Sequence, residues 1–327
     1  MHCSPSRELP DPAKGKAGWP WTEERAQLAG EAFGSSHCPK VSIVTPNYNY
    51  GHFLEETIRS VLGQGYPNLE YIIIDGGSTD NSVEIIKKYE PWLTYWVSEP
   101  DGGISNALNK GFQRTNGEIM AWLNSDDKYL PWTFAVVAEI FRTYQDVNWI
   151  VGYNSAWDAA GRQIRVFPCY KNVYNFLLRD YGWIQQESVF WRRSLWERAG
   201  AKIDEGYKVS MDGELWSRFF LYDDLWHVET VLGGYRIHDS NRAHKYYDEM
   251  VREIKTAIRG LEKNSSPVIR RKLLLLKVMR MMKRAFKGID IDMIAHALLP
   301  RSYQGIHYKA LVFEKGRWIK SAKRFIH

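Results

Sequence analysis

The sequence predicts an α/β fold in which helices flank a mainly parallel central sheet, with a helical extension at the C-terminal end. Between residues 41 and 123, short apolar runs typical of buried strands alternate with segments of helical spacing. Such alternation builds βαβ units, which place consecutive strands parallel to one another. Several of the apolar runs also stop abruptly at proline, glycine or acidic residues, and these mark the strand ends.

The first half of the chain contains the most regular elements. A β-branched run that begins at Val41 stops at Pro46, and the next strand stops at Gly76-Gly77. Ser78 is placed to cap the helix that follows the second strand. Strands are predicted within 41–49, 70–75, 93–99 and 118–123, and helices at 52–64, 80–90 and 104–115.

The second half is less regular. An apolar, aromatic segment at 182–200 leads into a helix, and a helix at 210–222 has Ser210 as its N-cap and acidic residues in its first turn. Beyond residue 243 the sequence predicts helices only. The remaining elements are a helix at 132–144, a strand at 149–154, and a strand with a turn at 232–244.

Composition limits the class of protein. The 327 residues are 44% hydrophobic and 25% charged, as in ordinary folded domains. No apolar run approaches the roughly 20 residues of a membrane span, and the N-terminus contains no apolar signal core. The three cysteines have no metal-binding spacing, which suits a reducing cytoplasm. We therefore expect a cytoplasmic protein with a flexible N-terminal segment at 1–39.

Polar residues follow the ends of the predicted strands. Ligands of parallel α/β sheets bind beyond the carboxyl ends of the strands, so we expect a site there. The loop after the first strand has neither the GxxxxGK[ST] nor the GxGxxG pattern, which argues against a P-loop and against a dinucleotide-binding Rossmann domain. The residues at these ends are 46–48, Asp75, 99–101 and 124–127.

Two adjacent carboxylates, Asp126 and Asp127, follow the fourth strand. Mg²⁺ and Mn²⁺ prefer oxygen ligands and often take only one or two carboxylates, with substrate phosphates as the other ligands. The alternative is that one of the two carboxylates caps a turn and the other is solvated. Asp75 could accept a hydrogen bond from a base or a ribose, and Asp212 and Glu214 are candidates for a general base.

Several motifs occur together: VSIVTPNYN, YIIIDGGSTD, SEPDGGISNALNKGFQRTNGE, WLNSDD, WIQQESVFWRRSLWERAG, MDGELWSRF and YRIH. In this order and spacing they resemble family 2 glycosyltransferases, and in particular bacterial enzymes that build surface polysaccharides. The resemblance covers residues 40 to 240. It implies the GT-A fold, Mn²⁺ or Mg²⁺ as cofactor, and inverting transfer of a sugar from a nucleoside diphosphate sugar.

The resemblance also implies roles for residues on the donor side. Pro46 and Tyr48 would line the nucleotide pocket, and Asp75 would bond the base, most readily a uracil or a thymine. The other donor contacts that it implies are Asp101, Gly103, Asn109, Lys110 and Asn124.

The catalytic roles follow from the same resemblance. Asp127 is the predicted metal ligand, and Asp126 beside it faces the ribose or the donor sugar. Asp212 is the predicted general base, with Glu214 as second choice. His238 would approach the metal or the diphosphate, or else be an ordinary imidazole at a strand end.

These assignments divide the chain into three parts. A GT-A catalytic domain is expected at 40–245, with a nucleotide-sugar-binding half at 40–130 and an acceptor half at 131–245. A basic helical extension is expected at 246–327, because residues 251–327 hold 19 basic and 5 acidic side chains. The acceptor would be a glycan or a lipid-linked molecule.

Residues 268–287 predict a cationic amphipathic helix. Such a helix can lie on an anionic membrane surface, which would suit a lipid-linked acceptor. The alternative is that its apolar face packs on the catalytic domain. Nucleic acid is not expected as a partner, because no base-reading module accompanies the charge. The predicted apolar face consists of Leu274, Leu275, Val278, Met279, Met281, Met282, Ala285 and Phe286.

A non-catalytic alternative stays open, namely a relative that binds a nucleotide sugar or scaffolds a membrane assembly. A nucleotidyltransferase is a poorer match, since it would need a Gly-rich basic loop where this chain has TPNYNYGH. Turnover of a nucleotide sugar in the presence of Mn²⁺ distinguishes the enzyme from the non-catalytic relative.

Overall fold

Four parallel strands form one half of the main sheet, as the sequence predicts. The computed structural model describes residues 8–22, 38–179, 184–239, 241, 245–285 and 306–324. The strands are β1 (Val41–Asn47), β2 (Leu69–Asp75), β3 (Tyr95–Ser98) and β4 (Ile119–Trp122), with helices α1 (Gly51–Leu62), α2 (Ser82–Tyr89) and α3 (Ile104–Phe112) between them. β1 lies between β4 and β2, and β3 pairs with β2. Their carboxyl ends therefore meet at one edge of the sheet.

Five further strands extend this sheet to nine. They are β6 (Trp149–Val151), β9 (Val189–Arg192), β10 (Trp226–Val228), β12 (His307–Glu314) and β13 (Arg317–Arg324). The order across the sheet is β13-β12-β10-β6-β9-β4-β1-β2-β3, and β9 runs antiparallel to both of its neighbours.

The hairpin of β12 and β13 corrects the expectation that the chain beyond residue 243 is wholly helical. Lys315 and Gly316 both have positive φ, at 51° and 78°, and form the two-residue turn between the strands. Such a turn matches the twist of the strands that flank it. Tyr308, Leu311 and Trp318 are buried, which ties the hairpin to the core.

A second sheet of four strands lies beside the end of β4. It contains β5 (Lys128–Tyr129), β7 (Asn154–Trp157), β8 (Gln163–Phe167) and β11 (Gly233–Arg236) in the order β5-β11-β7-β8. Gly234 pairs with Lys128 across β11 and β5. This pairing brings residues 236–238 beside residues 126–128.

The other helices are α4 (Thr133–Thr143), α5 (Val173–Leu177), α6 (Arg193–Arg198), α7 (Met211–Phe219), α8 (Tyr247–Asn264) and α9 (Pro267–Ala285). Much of the aromatic content lies in the core. The Trp216 ring on α7 stacks on Trp122 of β4 at 5.7 Å and on Trp149 of β6 at 5.8 Å, measured between centroids. This packing fixes α7 against the main sheet, with Asp212 one turn before Trp216.

Helix α9 has two apolar faces rather than one. Leu273, Leu276 and Met279 are buried, so the face that packs on the protein is a different one from the predicted face, with which it shares Met279. Leu274 and Met281 are 65% and 70% exposed. Of the face predicted from the sequence, Met279 points inward, and Phe286 lies outside the described residues. None of the helices in the described ranges is long and apolar enough to cross a membrane.

Part of the segment expected to be flexible is packed. Arg59 donates hydrogen bonds from its guanidinium to the carbonyls of Pro10, Pro20 and Trp21, at 2.7, 3.2 and 3.0 Å. The indole N–H of Trp19 donates to the Tyr129 carbonyl at 2.8 Å. Residues 8–22 therefore cover α1 and β5, whereas 1–7 and 23–37 lie outside the described residues.

Candidate active site

A cavity of about 530 Å³ opens at the carboxyl ends of β1, β2 and β4. The sequence predicted a site at this edge. The wall includes a large part of the predicted set, from both halves of the domain. The predicted residues that line it are Pro46, Tyr48, Asp101, Gly103, Asn124, Asp126 and Asp212.

Asp126, rather than Asp127, presents its carboxylate to this cavity. The Asp126 side chain is 15% exposed, whereas Asp127 is fully buried beneath it. The main-chain N–H of Arg236 donates to Asp127 Oδ1 at 2.8 Å, and the Asn124 amide donates to Oδ2 at 3.2 Å. Burial, with the charges of Asp126 and Glu187 nearby, raises the pKa of Asp127 well above its usual range. The structure thus contradicts the assignment of the metal to Asp127, whose carboxyl is already engaged inside the protein.

His238 lies directly beside Asp126. Its Nε2 atom is 3.0 Å from Asp126 Oδ2 and 3.0 Å from the amide nitrogen of Asn241. Asn241 also donates to the Arg236 carbonyl at 3.1 Å, which fixes the amide in place. His238 is therefore held at the carboxylate of Asp126, rather than standing as an isolated imidazole at a strand end.

The Asp126–His238 pair offers a carboxylate oxygen and an imidazole nitrogen, both of which are common metal ligands. The two atoms lie 3.0 Å apart, which is the distance of a hydrogen bond and also the spacing of two ligand atoms on adjacent corners of an octahedron with bonds near 2.1 Å. Asn124 lines the same cavity as Asp126, and its Oδ1 is buried and accepts no hydrogen bond within the described part of the chain. The described residues contain no cluster of three or more His, Cys, Asp or Glu side chains arranged for a metal. Substrate oxygens would have to complete the coordination.

A buried ion-pair network holds the loop that carries Asp126 and Asp127. Arg236 Nε donates to the Asp126 carbonyl at 2.6 Å, and Arg236 Nη2 lies 3.0 Å from a Glu56 carboxylate oxygen. The other oxygen of Glu56 accepts from Lys128 Nζ at 2.7 Å. The Arg236 side chain is fully buried. Helix α1 thereby anchors the loop that carries Asp126.

Asp75 does not reach the cavity, contrary to its predicted role at the base. It is fully buried and accepts four hydrogen bonds. The donors are Asn47 Nδ2 at 2.6 Å, Ser78 N at 2.9 Å, Ser78 Oγ at 2.5 Å and Ser98 Oγ at 2.6 Å. With both oxygens occupied, Asp75 organises the ends of three strands. Ser78 serves this network, and α2 has Asn81 rather than Ser78 as its N-cap.

Asp212 lines the cavity and is a candidate to accept a proton, as is Glu187. Asp212 lies in the first turn of α7 and is buried, and burial raises its pKa to about 7 although the Gly213 N–H donates to Oδ1 at 2.7 Å. Glu214, the second choice from the sequence, is instead paired with Arg218, with two contacts of 2.7 Å. Glu214 does not line the cavity, so we retain Asp212 as the proposed base.

Asn109 and Lys110 are also outside the cavity wall. The Asn109 amide donates to the Ile203 carbonyl at 2.9 Å and to Glu205 at 2.9 Å. Lys110 Nζ lies 2.7 Å from a carboxylate oxygen of Glu99. Both residues thus fasten α3 to its surroundings, and the predicted donor contacts at these positions are corrected.

Other wall residues were not predicted. Gln186, Glu187, Lys208 and Asn241 line the cavity, as does Asn47 of the predicted strand end at 46–48. Burial raises the pKa of Glu187, whose carboxyl shares a hydrogen bond with Asp127. Gln186 and Glu187 stand in the motif WIQQESVF, and Asn241 follows YRIH by three residues, so both motifs carried a signal. Lys208 precedes a helix and has no such signal.

Comparison with known proteins gives one matching family. The profile of glycosyl transferase family 2 matches residues 42–197. An uncharacterized glycosyltransferase of Rickettsia typhi is 27% identical over 223 residues, which are 63% of this chain and 66% of that protein. TuaG of Bacillus subtilis, assigned to teichuronic acid biosynthesis, is 39% identical over 94 residues, 28% of this chain and 37% of TuaG. The chain spans about one third to two thirds of the length of the curated relatives it matches.

Two solved structures have the same fold. Staphylococcus aureus TarS 1–349 in complex with UDP-GlcNAc has a TM-score of 0.59 at 15% identity, covering 81% of this chain and 78% of TarS. The mannosyltransferase PcManGT of Pyrobaculum calidifontis, in complex with GDP-Man and Mn²⁺, has a TM-score of 0.50 at 18% identity, covering 82% and 83%. The predicted GT-A fold is confirmed.

Proposed function

Because the chain belongs to glycosyl transferase family 2 through its domain at residues 42–197, we propose that it transfers a sugar, with inversion, from a nucleoside diphosphate sugar to an acceptor hydroxyl. One observation carries the proposal. A buried carboxyl group with a raised pKa, Asp212, lines the same cavity as Asp126, which is paired with His238. A base and a cation-binding pair around one cavity are what glycosyl transfer from a diphosphate requires.

The donor would bind with its base on the side of β1 and β2. Tyr48 is 60% exposed and lines the cavity beside Pro46, so it offers an open aromatic face for a base. Asp101, in the same wall, accepts from the Gly103 N–H at 2.7 Å through one oxygen. Since Asp75 is enclosed, we assign to Asp101 the carboxylate contact with base or ribose. A UDP or dTDP sugar is the donor we propose, and TarS is a relative in fold that binds UDP-GlcNAc.

Asp126 and His238, with Asn124 Oδ1 beside them, would hold Mn²⁺ or Mg²⁺. When bound, such a cation acts as a Lewis acid and stabilises the charge that develops on the departing diphosphate. The fold relative PcManGT is bound to Mn²⁺ together with GDP-Man. In this chain the part of Asp126 is to orient the diphosphate end of the donor, and Arg236 keeps that carboxylate in place through the Asp126 carbonyl.

Asp212 would remove the proton from the acceptor hydroxyl. The acceptor oxygen forms a bond to the anomeric carbon as the bond from that carbon to the diphosphate oxygen breaks, and the hydroxyl proton passes to the Asp212 carboxylate. Attack from the face opposite the leaving group inverts the anomeric centre. A base with a pKa near 7 is matched to a neutral medium.

Donor screening followed by turnover tests this function. Thermal shift with nucleoside diphosphates and their sugars, with and without Mn²⁺, should identify the donor, because a ligand that binds the folded state raises its apparent stability. Hydrolysis or transfer of that donor should then require Asp212. D212N with unchanged turnover would overturn Asp212 as the base, and E187Q is the matched test for the other buried carboxyl in the wall. Donor binding without turnover would favour the non-catalytic relative.

The acceptor we propose is a glycan or a lipid-linked molecule of cell-surface polysaccharide synthesis. The similarity to TuaG supports this class. We also propose that the protein is cytoplasmic, as expected from the cysteine spacing. The cytoplasm is compatible with both nucleotide sugars and reduced thiols.

Helix α9 would hold the enzyme at an anionic membrane surface. Its outward face carries Leu274, Val278, Met281 and Met282, all exposed. Residues 267–285 contain seven basic and no acidic side chains, so their charge complements anionic lipids. Each basic residue near such a surface contributes about 1 kcal/mol. The buried face of α9 leaves this outward face available.

Vesicle sedimentation tests the membrane contact. The full chain should bind vesicles that contain phosphatidylglycerol and not vesicles of phosphatidylcholine alone, and added salt should weaken the binding. The double variant L274E/M281E should lose binding and stay folded. F313E places a charge on an exposed apolar residue of β12 and is the control. Equal binding by L274E/M281E and wild type would sink this proposal.

A further inference from the structure

We infer that Glu253 on α8 is a positioning residue for the catalytic base, an inference that rests on the proposed role of Asp212. Asp212 lies in the first turn of α7, and the main chain just before it, residues 208–210, has no helical partners for its N–H groups. How that segment is held decides where the Asp212 carboxylate points. The residues that hold it belong to another helix.

The Glu253 carboxylate accepts three main-chain hydrogen bonds from this segment. Its Oε1 accepts from Lys208 N at 2.8 Å, and its Oε2 accepts from Val209 N at 2.9 Å and Ser210 N at 2.7 Å. Hydrogen bonds from N–H groups to an ionised carboxylate are about twice as strong as neutral ones. A single side chain thus fixes the approach of the chain to α7.

The expected local cap of α7 is not formed. Ser210 is the N-cap residue, as the sequence predicts, but its side chain makes no capping hydrogen bond. Its hydroxyl donates instead to the Met250 carbonyl on α8 at 3.2 Å. Glu253 therefore accepts the Ser210 N–H from outside the helix, and its charge adds to the charges of Asp212 and Glu214 at the positive end of the α7 dipole.

Packing keeps α8 at contact distance from the first turn of α7. A Cβ atom added to Gly213 would lie 2.4 Å from Ile254 Cδ1, so a larger residue there would displace the end of the Ile254 side chain. Met250, Glu253 and Ile254 have the i, i+3, i+4 spacing of one helix face. That face contacts residues 208–213 through the Met250 carbonyl, the Glu253 carboxylate and the Ile254 methyl group. These three contacts hold the residues around Asp212 in place.

Glu253 also acts on the charge of Asp212. After burial, which is the larger effect, the Glu253 carboxylate further raises the pKa of Asp212. Other charged groups near Asp212 are Glu187 and Lys208 in the cavity wall and the Glu214–Arg218 pair on α7. The family profile ends at residue 197, so both Glu253 and its target lie in the part of the chain beyond it.

Kinetics of E253A and E253Q test the inference, with E249A on the same helix as the control. A misplacement of about 1 Å can cost roughly 100-fold in rate. E253A should therefore lower kcat by about that factor with little change in donor KM, and it should keep donor-induced thermal stabilisation.

E253Q, which can still accept a hydrogen bond, should recover part of the loss. E253Q should also shift the acid limb of the kcat/KM profile to lower pH, because a negative charge near Asp212 is gone.

Amide hydrogen exchange gives a second measurement that does not need activity. The amides of Lys208, Val209 and Ser210 should exchange at least about tenfold faster in E253A and not in E249A. Unchanged exchange, or wild-type kcat in E253A, overturns the inference. A parallel loss of kcat, donor binding and melting temperature would make Glu253 merely structural and overturn it too. If the wild-type chain turns over no donor, the proposed function fails, and the exchange experiment still decides whether Glu253 holds the segment.

Discussion

His238 Nε2 and Asp126 Oδ2 lie 3.0 Å apart, although 112 positions separate them along the chain. The contact joins the two sheets, because Asp126 follows β4 of the main sheet and His238 follows β11 of the small one. Pairing of β11 with β5 determines the approach. The proposed cation-binding pair is thus a product of sheet topology, and a change in either sheet should alter cation affinity.

Loss of either member of this pair should weaken cation binding. D126N and H238A should each lower Mn²⁺ affinity in the presence of UDP by roughly tenfold or more, because each removes one of the proposed protein ligands. Calorimetric titration of Mn²⁺ measures the effect. H52A removes an exposed imidazole whose neighbour Phe53 packs on His238, and it serves as the control. Unchanged Mn²⁺ affinity in both variants would contradict the assignment.

Asp127 should behave as a structural residue. D127A leaves the Arg236 N–H without its acceptor and removes one of the two acceptors of the Asn124 amide, the other being Gln186. A buried donor that loses its partner costs about 1–3 kcal/mol, so urea denaturation should show a loss of that order. D126A should cost less stability, since its side chain reaches the cavity. If D127A kept wild-type stability and lost all response to Mn²⁺, the metal would belong to Asp127 after all.

The main sheet and the carboxylate-rich edge could be predicted, because both follow from local patterns. Apolar runs of strand length define β1 to β4, and polar residues at their ends must meet at one edge. The roles of Asp126 and Asp127 could not be separated in this way, since adjacent residues have the same sequence signal. Only the position of Arg236, which comes from the small sheet, decides which carboxylate is covered.

Two other errors have related causes. Asp75 has the right position on β2, but the hydroxyls of Ser78 and Ser98 enclose it, and such a network depends on three strands at once. Glu214 lies in the first turn of α7, as predicted, but Arg218 one turn later forms an ion pair with its carboxylate. That i, i+4 pair is visible in the sequence and favours Asp212 over Glu214.

We expect the Asp212 carboxylate to be required for turnover and to lower the stability of the folded protein. D212N should abolish turnover and leave donor binding intact, because the amide cannot accept the acceptor proton. A buried ionised carboxylate costs stability, so D212N should raise the melting temperature at pH 8 by at least about 2 °C. E214Q, which breaks the pair with Arg218, should lower the melting temperature instead. A destabilised D212N would contradict the burial that we assign to Asp212.

The pH dependence follows from the same carboxyl group. The base acts only when ionised, so kcat/KM should fall as pH drops through about 7, the pKa of Asp212. The folded-state pKa lies above the usual value of 3.8, so between pH 4 and 7 the folded state binds more protons than the unfolded state. The stability gain of D212N should therefore be full at pH 8 and vanish toward pH 4. A gain that is constant over this range would assign the raised pKa to another group.

Glu56 should be the residue on which the stability of the site depends most. Its two oxygens lie 2.7 Å from Lys128 Nζ and 3.0 Å from Arg236 Nη2, and all three side chains are buried. E56Q would leave two buried cations without a counter-charge, and breaking a buried pair in this way costs about 3–5 kcal/mol. Urea denaturation of E56Q should show that loss. E55Q, the neighbouring position, breaks the more exposed pair with Lys88 and should cost less than about 1 kcal/mol.

Because Arg236 holds the Asp126 carbonyl, E56Q should also weaken Mn²⁺ binding. Equal stability losses in E55Q and E56Q would mean that the buried network does not anchor the site.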